Sequence, residues 1–328
     1  MSTLSLLVLF LISLQHLISH EVNSFIPTKP PISWKLHQLQ NNNNIRRNEL
    51  NTIKIVYESD SILAIEKPPH IPHHDDDDSN ENNEMGVISL IRQLQEQKEI
   101  SYQGRLWGVH RLDRVTSGVL LLAKSKYVAQ ELSSMFREKK VIKYYIALSN
   151  KKPKKKKQGW VKGDMTQSRR KSWKLCNTFD NPAITRFFTA GLGNCDAHLQ
   201  DFITSDDVAS NESDVCNAIL PKTMILFRPH TGKTHQLRVA AKSLGLPIVG
   251  DETYNDANVS KHVKRAYLHA VALHLELKKE NDEIENVVIC DPPTSWFYTS
   301  GESNGMDEVF RNIMKKHCES EDILDLID

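Results

Sequence analysis

The spacing of apolar residues changes several times along the chain, and each change marks an element. Residues 52–57 and 62–66 are short β-rich runs separated by Glu-Ser-Asp-Ser, the pattern of a hairpin. Val87, Leu90, Ile91 and Leu94 recur at helical spacing, as do Val128, Leu132, Met135 and Phe136 farther on. Between them residues 119–122 are apolar without interruption, which predicts a strand buried on both faces. Residues 142–148 alternate instead, with Ile142, Tyr144, Ile146 and Leu148 on one face and Lys143, Tyr145 and Ala147 on the other. Residues 224–227 read as a strand, and residues 235–244 as a helix that Gly245 ends. On that helix Leu237, Ala240, Ala241 and Leu244 share one face, and His235, Arg238 and Lys242 the opposite one, so Arg238 is expected to point away from the core. Residues 273–277 and 287–290 are strand-like, and residues 306–313 form a short amphipathic piece within a tail over 296–328.

The polar interruptions are as informative. Lys67-Pro68-Pro69-His70-Ile71-Pro72-His73 stiffens the chain, because proline fixes φ and removes donors. Three stretches read as insertions: the aspartate-rich residues 75–84, the lysine-rich 150–158 and the Ser/Asp/Asn-rich 201–218. With 328 residues, 39% hydrophobic and 25% charged, the chain suits one large catalytic domain or two small ones. A net charge of +1 means that any affinity for nucleic acid must come from local clustering. Such a cluster runs from Lys151 to Lys157 and on through Lys162, Arg169, Arg170, Lys171 and Lys174, with Trp160 and Trp173 interleaved. It suits an RNA backbone with occasional base stacking, and a solvated turn is the alternative. Five cysteines without a C-x-x-C pair argue against a disulfide framework or a zinc site, and His70, His73 and His74 lack ligand spacing, so no metal is expected.

Residues 1–50 differ in kind. An apolar run over 4–14 is similar to the core of a signal peptide, and residues 22–48 carry no acid, as in an organellar transit peptide. The two in series resemble a plastid leader, with mitochondrion, secretory pathway and cytoplasm as the following alternatives. The catalytic domain is expected over 51–295.

The candidate chemistry lies in His110-Arg111-Leu112-Asp113-Arg114-Val115-Thr116-Ser117-Gly118, where a carboxylate is presented on a loop before the buried strand. Flanking arginines favour its charged form, which makes it a candidate nucleophile or base. This stretch, the Lys143-Tyr144-Tyr145-Ile146-Ala147 segment, and Thr231-Gly232-Lys233-Thr234-His235-Gln236-Leu237-Arg238 followed by Gly250-Asp251 and Tyr254, resemble the signatures of RluA-type RNA pseudouridine synthases. The resemblance covers residues 52–293. It implies an α+β catalytic domain, with a mixed, largely antiparallel central sheet flanked by helices and a central cleft. It also implies isomerisation of uridine to pseudouridine in tRNA or rRNA by a monomer, without cofactor, metal or stable membrane association. Asp113 would be the essential carboxylate, Arg238 the arginine paired with it, and Tyr145 the residue that stacks on uracil or moves a proton at C5. Arg111 would help to hold the opened RNA, with His110, Thr116, Lys233, His235, Arg169 and Arg170 as further RNA or substrate contacts. The glycine usual after the Lys-Pro segment is replaced by His70, so a different local turn is expected. The competing reading is a non-catalytic RNA-binding protein on the same fold.

Overall fold

The computed structural model describes residues 53–75, 85–154, 156–168, 172–193, 195, 201–203, 219–299 and 302–327. The leader, most of the insertions at 75–84 and 201–218, and Arg169 and Arg170 lie outside the described residues. The first half of the fold comprises β1 (Lys54–Glu58), β2 (Ile62–Lys67), α1 (Val87–Glu96), β3 (Trp107–Gly108), β4 (Ser117–Ala123), α2 (Lys126–Arg137) and β5 (Ile142–Ser149). Then come β6 (Gln158–Gly163), β7 (Met165–Gln167), β8 (Trp173–Leu175), β9 (Ala183–Gly191), β10 (Thr223–Pro229), α3 (Gln236–Ser243) and α4 (Ala257–Ser260). The last elements are β11 (Leu268–Lys278), β12 (Ile284–Cys290), α5 (Thr294–Phe297), the small β13 (Tyr298–Thr299) and β14 (Glu302–Ser303) pair, α6 (Met306–His317) and α7 (Glu321–Leu324).

A 10-stranded sheet runs in the order β1-β2-β4-β11-β5-β10-β9-β6, with β3 added to β4 and β12 to β11. Only β4 and β11 run parallel; every other pair in this sheet is antiparallel. This is the mixed, largely antiparallel sheet that the motifs imply. All of β4 is buried because helices cover both of its faces. Leu120 and Leu122 pack with Leu90, Ile91 and Leu94 of α1, while Val119 and Leu121 pack with Val128 and Leu132 of α2. Alternation in β5 likewise serves two cores: Tyr144, Ile146 and Leu148 face α6, and Tyr145 and Ala147 face the cluster containing Leu237 and Ala240 of α3.

β4 stays with β11 only at Ser117–His269 and Gly118–Ala270, after which β12 takes its place along β11 from Ala272 onward. At this fork Gly118 has φ +106, and a Cβ there would lie 2.3 Å from the Ala270 carbonyl oxygen. Neither the backbone conformation nor the contact admits a side chain. Gly118→Ala should therefore lower stability by about 2–4 kcal/mol, read from denaturant unfolding. Wild-type stability in that variant would refute the tight approach.

One expectation is corrected here. Residues 306–327 are not a separate tail, because Met306, Phe310, Ile313, Met314, Ile323 and Ile327 fill the core beneath β5 and β10. The Glu319 amide also donates to the Tyr144 hydroxyl at 2.8 Å. The turn at His70 has a left-handed conformation, with φ 66, in a residue that is not glycine. The turn is held because the His70 carbonyl accepts from Arg114 Nε at 3.1 Å.

Candidate active site

Asp113 sits at the start of a tight turn, closed by the Thr116 amide donating to its carbonyl at 3.0 Å. Thr116 and Ser117 are buried beneath it, while Arg111 and Arg114 are exposed. Lys67 fixes this loop from the side. Its fully buried ammonium donates to the carbonyls of Pro68 (2.7 Å), Ile71 (2.8 Å) and Arg114 (3.2 Å). Burial, with Arg265 nearby, pushes that ammonium down to about 7. Below the loop Ser117 accepts from Arg265 and donates to His269 Nδ1 at 2.8 Å, and His269 Nε2 donates to the Asp291 carbonyl at 2.8 Å. Glu66, His269 and Asp291 each bring a side-chain nitrogen or oxygen within 4.8 Å of the others, and both His269 nitrogens are already in hydrogen bonds.

Arg238 rises from α3 toward this loop and is buried, at 4% exposure. It lies on the face of α3 away from Leu237 and Ala240, and that face is not open to water, because the 251–254 turn covers it. Its guanidinium fork goes to Asp251, Nε to Oδ2 at 2.7 Å and Nη2 to Oδ1 at 2.8 Å. Asp251 Oδ1 also accepts from the amides of Thr253 (3.0 Å) and Tyr254 (3.2 Å). Asp113 Oδ2 receives the remaining nitrogen, Nη1, at 3.9 Å. Arg238 is therefore shared: Asp251 takes the bidentate bond and holds it, and Asp113 keeps a charge partner without a direct hydrogen bond.

Tyr254 braces the other side of the guanidinium, its ring centroid 4.9 Å from Arg238 Cζ. Its hydroxyl accepts from the Trp173 amide at 2.8 Å and shares a hydrogen bond with His235 Nδ1 at 2.8 Å. His235, with φ 57, forms the N-cap of α3, and burial followed by the Arg238 charge pulls its imidazole below the ordinary value. Tyr145 is half-buried, and burial, followed by the Asp113 carboxylate, pushes its phenol well above the ordinary value, so it stays protonated at neutral pH.

The fold thus brings Asp113, Tyr145, Arg238 and His235 together. Three other expected contacts are placed differently. His110 accepts from the Leu121 amide through Nε2 at 2.9 Å and stacks on Phe136 with centroids 4.5 Å apart, which ties the loop to β4. Burial pulls its imidazole down to about 3, so it is neutral. Thr116 is a turn residue, 3% exposed. Lys233 donates to Asn181 Oδ1 at 2.7 Å and lines an open pocket of about 390 Å³ with Asp164, Met165, Trp173 and Thr234. The sequence motifs include Lys67, Asp251 and Tyr254 but assign a role to none of them. The dipeptide Gly250-Asp251 carried a signal, a glycine with φ 76 whose Cβ would lie 1.9 Å from the Arg265 carbonyl, but in sequence it is indistinguishable from a surface turn.

The family model described as RNA pseudouridylate synthase matches residues 61–243. An "Uncharacterized RNA pseudouridine synthase" of Haemophilus influenzae is 42% identical over 225 residues, 68% of this chain and 82% of the relative. "Ribosomal large subunit pseudouridine synthase C" of Rickettsia prowazekii is 30% identical over 225 residues, 67% of this chain and 62% of that protein, so the match spans less than two thirds of its length. Among solved structures, "Human RNA Pseudouridylate Synthase Domain Containing 1" superposes with a TM-score of 0.53 at 24% identity, over 76% of this chain and 86% of that one, which shows the shared fold. With the aspartate loop, the arginine helix and the forked sheet in this arrangement, the chain belongs to the RNA pseudouridylate synthase family, enzymes that isomerise uridine in RNA.

Proposed function

We propose that this protein isomerises uridine in large-subunit ribosomal RNA, with Asp113 as the carboxylate that acts on an extruded nucleotide. One observation carries the assignment: a buried guanidinium, anchored by Asp251, faces the Asp113 carboxylate at 3.9 Å. A carboxylate that closes on a nucleotide loses water, and an uncompensated charge there costs several kcal/mol. Arg238 compensates it without engaging either oxygen in a bidentate bond, so the acid stays available. In the reaction the ribose C1′–N1 bond breaks, the base turns, C5 bonds to C1′, and the C5 proton is lost while N1 gains one. Tyr145, protonated and within the field of Asp113, would flank the uracil ring or move the C5 proton. Extruding the uridine from a duplex costs a few kcal/mol, and exposed Arg111 beside the loop is the cation that would hold the opened strand.

The name of the Rickettsia prowazekii relative supports ribosomal RNA over transfer RNA. The acid-poor residues 22–48 support action in an organelle, plastid before mitochondrion. The test is incubation of purified protein with transcribed organellar and cytosolic ribosomal and transfer RNAs, with chelator present, followed by pseudouridine mapping. Conversion of defined uridines in large-subunit RNA is expected. Binding without product in every RNA would instead establish the non-catalytic RNA-binding protein.

A further inference from the structure

β6 is the outer strand of the sheet, and among the described residues no element packs over one side of it, where Trp160 is exposed. Val161 packs inward with Phe227, Leu237 and Ala240, so by strand alternation Trp160 and Lys162 face the other way, the side on which Phe188 and α6 lie. That side is opposite to the one Tyr145 occupies in β5. Trp160 is 46% exposed, a large apolar area to leave in water. The Lys162 ammonium lies 4.9 Å from its ring centroid, the Arg186 guanidinium 5.5 Å, and the His230 ring 5.0 Å. Glu319 pairs with both Arg186 and Arg228, one carboxylate against two guanidiniums. The loop entering β6 adds exposed Lys151, Lys152, Lys154, Lys156 and Lys157, and no acidic residue stands between Ser149 and Lys162.

We propose that this edge is a second RNA-binding site, on which an unpaired base stacks against Trp160 while Lys162, Arg186 and the preceding lysines hold the adjoining phosphates. The proposal rests on RNA being this family's substrate, and it concerns contacts beyond the reacting nucleotide. An acidic peptide would match the charge but leave the indole face in water. A flexible single strand satisfies both, because every base offers a π-face and every link a phosphate.

The probe is a fluorescein-labelled single-stranded oligouridine of about ten nucleotides, titrated with the full chain and read by anisotropy at two salt concentrations. Trp160→Ala is expected to weaken binding by about 5- to 100-fold, and Trp160→Phe to retain most of it. Arg186→Ala should reduce the slope of log affinity against log salt by about one. Heparin, a polyanion without bases, serves as the control. Unchanged oligouridine affinity in Trp160→Ala, or an equal loss of heparin affinity, would overturn the stacking site, as would tighter Trp160-dependent capture of a polyglutamate peptide than of the RNA. Because no turnover is read, Trp160-dependent binding by a protein that forms no pseudouridine would leave this site standing and remove the proposed function. Pseudouridine formation with Trp160-independent binding would remove the site alone.

Discussion

Asp113→Asn is expected to abolish pseudouridine formation, by a factor on the order of 10⁴ or more, while the protein stays folded and binds RNA within several-fold of wild type. The amide keeps the shape of the carboxylate and removes its charge and basicity. Its neighbours predict little structural damage. Arg238 Nη1 stands 3.9 Å from Asp113, beyond a hydrogen bond, and the other guanidinium nitrogens remain on Asp251. The turn itself is closed by a main-chain bond, from the Thr116 amide to the Asp113 carbonyl, which the substitution leaves intact. A thermal midpoint within about 2 °C of wild type is therefore expected. Loss of folding would show Asp113 to be a structural acid, and retained turnover would remove it from the chemistry.

Asp251→Asn should have the second largest effect, through two channels that can be separated. The residue is 1% exposed and accepts four hydrogen bonds, two from Arg238 and two from the Thr253 and Tyr254 amides. Removing one member of a buried ion pair costs about 3–5 kcal/mol, which for a domain of this size is a fall of roughly 6–20 °C in the thermal midpoint. The second channel is positional. An asparagine amide turned toward the guanidinium opposes donor to donor, so Arg238 shifts and no longer faces Asp113, and kcat should fall by about 10²–10³-fold with KM little changed. The double variant Arg238→Met/Asp251→Leu tells the channels apart, since replacing a buried pair by apolar residues is often neutral or stabilising. It should regain much of the lost midpoint and none of the activity. Normal kcat in Asp251→Asn would refute the positioning role.

The contrast between Asp113 and Asp251 shows what the sequence can convey. Asp113 is legible because its loop carries several unusual residue types in fixed order, and the strand after it is apolar throughout. The strands β4, β5, β10 and β11 and the helices α1 and α2 follow from period alone, since each buries one or both faces against a neighbour close in chain or register. Asp251 and Arg238 are harder, because helical periodicity separates polar from apolar faces and says nothing about what later covers the polar one. An arginine buried by a distant turn and an arginine in water give the same pattern. β6 and β9 escape pattern reading for a related reason: Trp160, Lys162 and Arg186 put charge and aromatics where a half-covered strand carries ordinary polar residues. Residues 306–313 read as an amphipathic piece within a tail, because the partner of their apolar positions, Met306, Phe310 and Ile313, is a sheet that exists only once the chain has folded.

That last packing gives β5 two duties. Tyr145 belongs to β5, whose neighbour Tyr144 accepts a bond from Glu319, and the floor beneath β5 and β10 is filled by residues 306–327. Damage to that floor therefore reaches the strand that carries Tyr145 without touching any side chain beside Asp113.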